Sequence, residues 1–376
     1  MKIVYCINNT WYAGGMTRVL TNKANSLAEE GHEVYIITTE QLEYKPHYPL
    51  SDRVHQIDLN FNYFQYDQKS FPVRFLGFVK NILGHRKKLS KILKELRADI
   101  VISMFTKDVY IIPGIKDGSK KILEIHTSRY TWLLARAERG IIGRFQNWLD
   151  QYIIKKYDRF VILTNEDMAH WKGLSNLEVI PNANSFEPEE SSTLTNKIVV
   201  AVGRYFDSKK FDDLIDAWKV INKNFPDWKL NIIGDGPMKD VLQNQIQNSG
   251  LTEVISLKPT TPLIMQEYLN SSVVVLPSLF EGLPMVLLEG QACGVPLVAY
   301  ECKCGPKDII VDGDNGFLVE IENVEMLADR ILKLIENDDL RFEMGQKAKL
   351  YSKRFSKEIV MKKWNDLFQK IKYINY

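Results

Sequence analysis

The sequence predicts an α/β protein whose parallel sheets fall into two domains. Three observations lead there. Short runs rich in Val and Ile alternate with longer helical patterns along the whole chain, as strands joined by crossover helices do. The runs form two series separated by a polar stretch. The length, 376 residues with 45% apolar and 11% aromatic content, suits about two domains of roughly 150 to 200 residues, each with a full core. That composition excludes a disordered chain and a small disulfide scaffold.

In chain order, the first series of strands is KIVYCI, EVYIIT, IVISMF, KILEI, RFVILT and LEVIP, and the second is KIVVAVG, KLNIIG, VISLK, SVVVLP, PLVAY and FLVEI. Each series ends its strands at Gly, Asn, Ser or Thr, where α/β proteins place ligands. Between them NANSFEPEESSTLTNK (182–197) is polar, with Pro and clustered Ser and Thr, and reads as the linker. The expected units are residues 1–185, 186–355 and a closing helix within 356–376. In that last segment Ile359, Val360, Trp364, Leu367, Phe368 and Ile371 form a helical stripe that needs a surface to cover.

Charge is distributed unevenly. Residues 1–185 carry 26 basic and 19 acidic side chains (+7), 186–340 carry 13 and 25 (−12), and 341–376 carry 10 and 3 (+7). Such a field favours an anionic surface or substrate on the basic parts. Nucleic acid is not expected, because no aromatic stacking platforms accompany the basic residues. The N-terminal apolar run is too short and too soon interrupted by Asn for a signal peptide, and no run of 18 apolar residues would span a bilayer. Cys6, Cys293, Cys302 and Cys304 lack the C-x-x-C spacing of structural zinc. A cytoplasmic protein without a metal is expected, with Cys302 and Cys304 as small loop residues.

Five segments can carry chemistry. In PSLFEGLPMVLLEGQACGVPLVAY (277–300) a strand ends at Pro277, a loop holds Glu281 and Gly282, and Pro284 opens a helix as its first residue. Free amides near Gly282, Leu283, Met285 and Val286 would attract phosphate, while Glu281 and Glu289 would accept hydrogen bonds from sugar hydroxyls. The plainer alternative puts Glu281 in a solvated loop and Glu289 beside the helix start. VAVGRYFDSKK (200–210) brings Gly203, Arg204 and Lys209 to a strand end, a fork and a point charge suited to a diphosphate, unless each forms an ordinary surface ion pair. IIGDGP adds a Gly-x-Gly turn; its Asp235, like Asp312 and Asp314, sits where glycine turns favour Asp, so no metal site follows. Gly14 and Gly15 open an amphipathic helix without the three-glycine dinucleotide fingerprint, and are either a close-approach loop or a plain turn. His126 follows a strand, either structural or facing the cleft.

One further segment, VRFLGFVKNILGHRKKLSKILKELRAD (73–99), reads as an amphipathic helix. Phe75, Val79, Ile82, Leu89, Ile92 and Leu96 form the apolar stripe, and Lys80, Lys87, Lys91 and Lys94 share another face. It is either an outer helix of the first domain or, with the aromatic run FNYFQY before it, a contact for anionic lipid or acceptor.

Together, Gly14-Gly15, the strand ending at His126, IPNAN, VGR with Lys209, IIGDGP and EGLPMVLLEGQACGVPLVA resemble the retaining glycosyltransferases of family 4, over essentially the whole chain. The resemblance implies the GT-B architecture of two facing Rossmann-like domains with a C-terminal helix crossing back to the first. It implies a nucleotide-sugar donor, UDP-linked by the similarity of ECKCGPKDII (301–310), and a glycan or polyprenyl-linked acceptor. By it Arg204 and Lys209 neutralise the diphosphate, Glu289 binds the ribose, Glu281 contacts the donor sugar, His126 is the cleft histidine, and Gly14-Gly15 meets donor and acceptor. Two departures stand out: Lys210 where members commonly have Gly, and Thr17 where they have an acid. An epimerase or hydrolase on the same architecture would release UDP without acceptor, and a sensor would bind donor without turnover.

Overall fold

The computed structural model describes residues 1–61, 63 and 70–372, excluding the side chains of residues 71, 72, 74 and 75. Of the run FNYFQY only Phe61 and Tyr63 lie within it, and the side chain of Phe75 lies outside. Strands β1 (Lys2–Ile7), β2 (Glu33–Thr38), β3 (Val54–Asp58), β4 (Ile100–Ser103), β5 (Lys120–Glu124), β6 (Arg159–Ile162) and β7 (Leu177–Val179) pair in the order β3-β2-β1-β4-β5-β6-β7. Strands β8 (Ile198–Val202), β9 (Lys229–Ile233), β10 (Ile255–Lys258), β11 (Val273–Leu276), β12 (Leu297–Tyr300) and β13 (Gly316–Val319) pair as β10-β9-β8-β11-β12-β13. Every pairing is parallel.

The helices are α1 (Gly15–Glu29), α2 (Phe71–Leu96), α3 (Arg129–Ala137), α4 (Gly140–Ile154), α5 (Asn165–Met168), α6 (Phe211–Asn224), α7 (Lys239–Asn248), α8 (Ile264–Leu269), α9 (Met285–Ala292), α10 (Pro306–Ile309), α11 (Val324–Glu336), α12 (Asp338–Ser352) and α13 (Lys357–Lys372). They cover both faces of each sheet, which is why the central strands are continuous apolar runs: all four residues of β4, β11 and β12 are buried. In each sheet the strand order reverses once, between β1 and β4 and between β8 and β11. Those switch points open crevices at the C-terminal strand ends.

Strand β3 is absent from the sequence reading. It is an edge strand, paired only with β2, and its VHQID keeps His55 and Gln56 exposed, so it lacks the apolar run that marks the others.

Helix α13 returns from the second domain to the first. Val360, Met361, Trp364, Leu367, Phe368 and Ile371 share one core with Ile3, Tyr5, Leu20 and Leu27. Ile359 stays 42% exposed and Met361 is buried in its place, since at 100° per residue position 361 lies nearer the stripe of 360, 364 and 368. The basic tail meets acids of the first domain: Lys357 pairs with Glu29 at 2.7 Å and Lys370 with Glu178 at 2.9 Å. In α2, Leu89 and Leu93 are buried and Ile82, Ile92 and Leu96 pack around them, while Val79 and the four predicted lysines are exposed.

Candidate active site

The predicted segments converge where the C-terminal ends of the two sheets face each other. After β11 the chain runs through Glu281 and Gly282 into α9. Pro284 is the N-cap, at φ −70 and ψ 112, rather than the first helical residue. An extended ψ there turns the chain sharply into the helix, and the first-turn amides of Met285 and Val286 are left without intrahelical acceptors. Leu283 is buried beneath them; Met285 and Val286 are half-buried.

The loop after β8 sits beside this turn. A short 3₁₀ turn, Asp207–Lys209, is tied to it by the Leu279 amide donating to the Ser208 carbonyl at 2.9 Å. Lys209 Nζ donates to Glu281 Oε1 at 2.5 Å. A Cβ at Gly203 would crowd the Phe211 ring at 3.3 Å and lie in ordinary contact, 3.7 Å, with the Lys209 stem. Arg204 is exposed, its guanidinium 4.7 Å from the Phe206 ring. Lys210 holds φ +47 and ψ 42 between the 3₁₀ turn and α6. That left-handed conformation costs a side-chain-bearing residue about 1 to 2 kcal/mol and accounts for the glycine common there in the family it resembles. Here the Lys210 ammonium reaches Asp212 at 3.1 Å and Asp213 at 3.4 Å.

Across the crevice the first domain supplies three contacts among others. A Cβ at Gly15 would lie 3.7 Å from Met285 Cγ, which puts the glycine loop against the start of α9; Gly14 is the extended N-cap of α1. The main chain of His126 and Thr127 abuts Gly282, where a Cβ would come within 2.6 Å of the His126 oxygen. Third, Arg18 donates to Glu289 Oε1 at 2.9 Å. Glu289 also accepts from Ser185 Oγ at 2.6 Å and Tyr268 at 3.0 Å. Thr17 is buried.

The His126 side chain is nearly enclosed, with Nε2 3.2 Å from Glu124 Oε1. Glu124 accepts from Lys23, which lies 4.0 Å from the Trp364 ring. Burial alone would push the Glu124 carboxyl up, but Lys23 and His126 hold it down at about 2. A cavity of about 230 Å³ lies behind this pair, between α1, residues 181–185 and α13. Among the described residues no group of three His, Cys, Asp or Glu side chains is placed to hold a metal ion. Cys302 and Cys304 are buried, and burial pushes both thiols up.

The structure thus brings Gly14, Gly15, His126, Gly203, Arg204, Lys209, Glu281, Gly282, Leu283, Met285, Val286 and Glu289 to one crevice. Lys80, Lys87, Lys91 and Lys94 lie apart from it on α2. Sequence reasoning missed Arg18, Lys23, Glu124, Ser185 and Tyr268. Only Arg18 left a local signal, one turn after the glycine pair.

Residues 13–184 match the family described as Glycosyltransferase Family 4, and residues 184–351 match Glycosyl transferases group 1. The chain belongs to the family 4 glycosyltransferases. It is 29% identical to an uncharacterized glycosyltransferase of Haemophilus influenzae over 97% of this chain and 99% of that one. It is 25% identical, over 99% of both chains, to a Campylobacter jejuni enzyme named as an α-1,4-N-acetyl-D-galactosaminyltransferase acting on a GalNAc-bearing diNAcBac-PP-undecaprenol. Two further curated relatives, 37% and 33% identical, match 57% and 56% of this chain, which spans 23% and 62% of their lengths. Among solved structures, a Staphylococcus aureus TarM mutant in complex with UDP and α-GlcNAc-glycerol superposes with a TM-score of 0.79, at 18% identity, over 98% of this chain and 99% of that one. The last likeness establishes the two-domain GT-B fold.

Proposed function

We propose that this glycosyltransferase moves a hexosyl or N-acetylhexosaminyl group from a UDP-linked donor to a hydroxyl of a glycan or polyprenyl-linked acceptor, with retention of anomeric configuration, in cell-surface polysaccharide synthesis. The work is done in the cytoplasm at the inner face of the membrane. One observation carries the reading: the loop after β8, which holds Arg204 and Lys209, is tied by the Leu279–Ser208 hydrogen bond and the Lys209–Glu281 pair to the loop that opens α9, at the β8–β11 switch point. Negative charge builds on the diphosphate as the glycosidic bond breaks, and preorganised donors there favour the transition state over the ground state. UDP in the TarM complex and the undecaprenol-linked substrate of the Campylobacter enzyme support the donor and acceptor classes.

In this reading Glu289 exchanges Arg18 or Ser185 for the ribose hydroxyls, and Glu281 steadies Lys209 while facing the donor sugar. Three crevice carboxylates are engaged by cations: Glu281 by Lys209, Glu289 by Arg18, and Glu124 by Lys23. In this reading the acceptor attacks on the face the diphosphate leaves, its proton passing to a phosphate oxygen, and no carboxylate is required as the covalent nucleophile of a retaining glycosidase. The side-chain cations serve in place of a metal, so a chelator should leave turnover unchanged.

The test is a panel of UDP, GDP and ADP sugars screened by thermal shift, then turnover with lipid-linked acceptors. UDP sugars should stabilise the protein, and Arg204→Ala should lower kcat by about a hundredfold, as loss of an oxyanion donor does. An unchanged kcat would remove Arg204 from the mechanism, and UDP release that ignores acceptor would make the enzyme a hydrolase.

A further inference from the structure

The α3–α4 hairpin carries an apolar face that the transfer chemistry does not use. Helix α3 starts just beyond His126, at the crevice end of β5, where Ser128 caps it by accepting from the Thr131 amide. The chain turns at Glu138–Gly140, and α4 returns with Gly143 packed so closely that a Cβ would stand 2.0 Å from the Arg136 carbonyl. Helix α4 seats itself through Gly143, Asp150 and Ile154. Its other face holds Ile141, Ile142, Phe145, Trp148 and Tyr152, exposed to 83%, 67%, 58%, 59% and 49%.

These residues recur at helical spacing, so they form one stripe. Three of them make a ring ladder: Phe145 and Trp148 are 5.7 Å apart, and Trp148 and Tyr152 are 5.8 Å apart with nearly parallel planes. An outward helix face is ordinarily polar, and a contiguous apolar patch of this kind marks an interaction surface.

Charge identifies what it meets. Arg139, Arg144, Lys155 and Lys156 rim the stripe and are exposed, Lys156 lying 4.2 Å from the Tyr152 ring. Of the hairpin's two acids, Asp150 is buried against Arg136, leaving Glu138 at the tip. Helix α2 packs into the same core as α4 and so covers the same face of the first sheet. It adds exposed Leu76, Val79 and Leu83 beside Lys80 and Lys87.

We propose that the α3–α4 hairpin is a membrane-docking wedge: Ile141, Ile142, Phe145 and Trp148 enter the interfacial layer of an anionic bilayer while Arg139, Arg144, Lys155 and Lys156 meet the headgroups. A two-fold contact between copies of this face would set four cations against four, which charge repulsion opposes. An anionic lipid surface attracts them, and Trp and Tyr favour the interface. Because α3 leaves the sheet at the crevice end of β5, docking would place the crevice near the lipid surface. The inference deepens the membrane part of the proposed function and moves the principal contact from α2 to the hairpin.

The experiment is cosedimentation with vesicles of phosphatidylcholine plus phosphatidylglycerol and of phosphatidylcholine alone, using the full chain. Binding should require the anionic lipid and weaken with salt. The exposed double variant Phe145→Ser/Trp148→Ser should bind about tenfold more weakly or worse, given the apolar area removed. The set Lys80→Ala, Lys87→Ala, Lys91→Ala and Lys94→Ala should lose less. Brominated lipid should quench tryptophan emission, and the conservative Trp148→Phe should abolish most of that quenching. Equal binding to both vesicles, an undiminished double variant, or a dimer in sedimentation velocity that the double variant dissociates would overturn the proposal. UDP binding by calorimetry runs alongside: its failure in the wild-type chain would defeat the transfer reading and leave the vesicle result standing, and its persistence in the variants shows an intact fold.

Discussion

Gly282→Ala probes a close backbone approach between the two domains at the crevice. The added Cβ would stand 2.6 Å from the His126 carbonyl oxygen, 3.1 Å from its carbon and 3.1 Å from Thr127 Cα. A carbon and an oxygen rest at about 3.3 Å, so the two chains must separate by roughly 0.7 Å. The obstructing atoms are backbone and cannot rotate aside. Gly282 does not occupy the left-handed region, so alanine brings no dihedral penalty and the effect is the contact alone. The displaced loop carries Glu281, the partner of Lys209. A misplacement near 1 Å costs about a hundredfold in rate, so kcat should fall by ten- to a hundredfold, read from initial rates of donor consumption at saturating acceptor. The melting temperature should move little, because the contact joins two loop segments rather than core side chains. A variant with undiminished kcat would refute the reasoning.

Trp364→Ala should destabilise the chain by about 3 to 5 kcal/mol in denaturant unfolding, since it empties the core joining α13 to the first sheet. A loss under about 1 kcal/mol would mean that α13 adds little to the first domain. Asp108 is fully buried, and that burial pushes its carboxyl up to about 6. Between its unfolded value of about 4 and this one, the unfolded chain holds fewer protons than the folded one, so stability falls as pH rises through the interval. Asp108→Asn should cancel that fall: the stability difference between variant and wild type should move toward the variant across the same interval, and a difference independent of pH would contradict the assignment.

The strands of both sheets were legible because buried parallel strands are written as Val and Ile runs, and β3 was not because an edge strand with one partner can be as polar as His55 and Gln56. The loop at 277–300 was legible as a site because proline, glycine and two glutamates are placed there in a local order. What could not be read were partnerships between distant segments. Arg18 and Glu289 are 271 positions apart and Lys23 and Glu124 are 101 apart, and no local spacing records either. The outward face of α4 was equally hidden, since an apolar stripe shows that a helix has something to cover without showing that it is left uncovered. Helix α2 illustrates the same point from the other side: Ile82, Leu89, Ile92, Leu93 and Leu96 pack into the core, while Leu76, Val79 and Leu83 stay exposed with its lysines.

The most direct test is a crystal structure of the enzyme with an uncleaved UDP sugar. Its diphosphate should lie between Arg204, Lys209 and the amides of Met285 and Val286, with the ribose hydroxyls on Glu289 in place of Arg18 or Ser185. A nucleotide bound elsewhere, with the Lys209–Glu281 and Arg18–Glu289 pairs undisturbed around a vacant loop, would contradict the account.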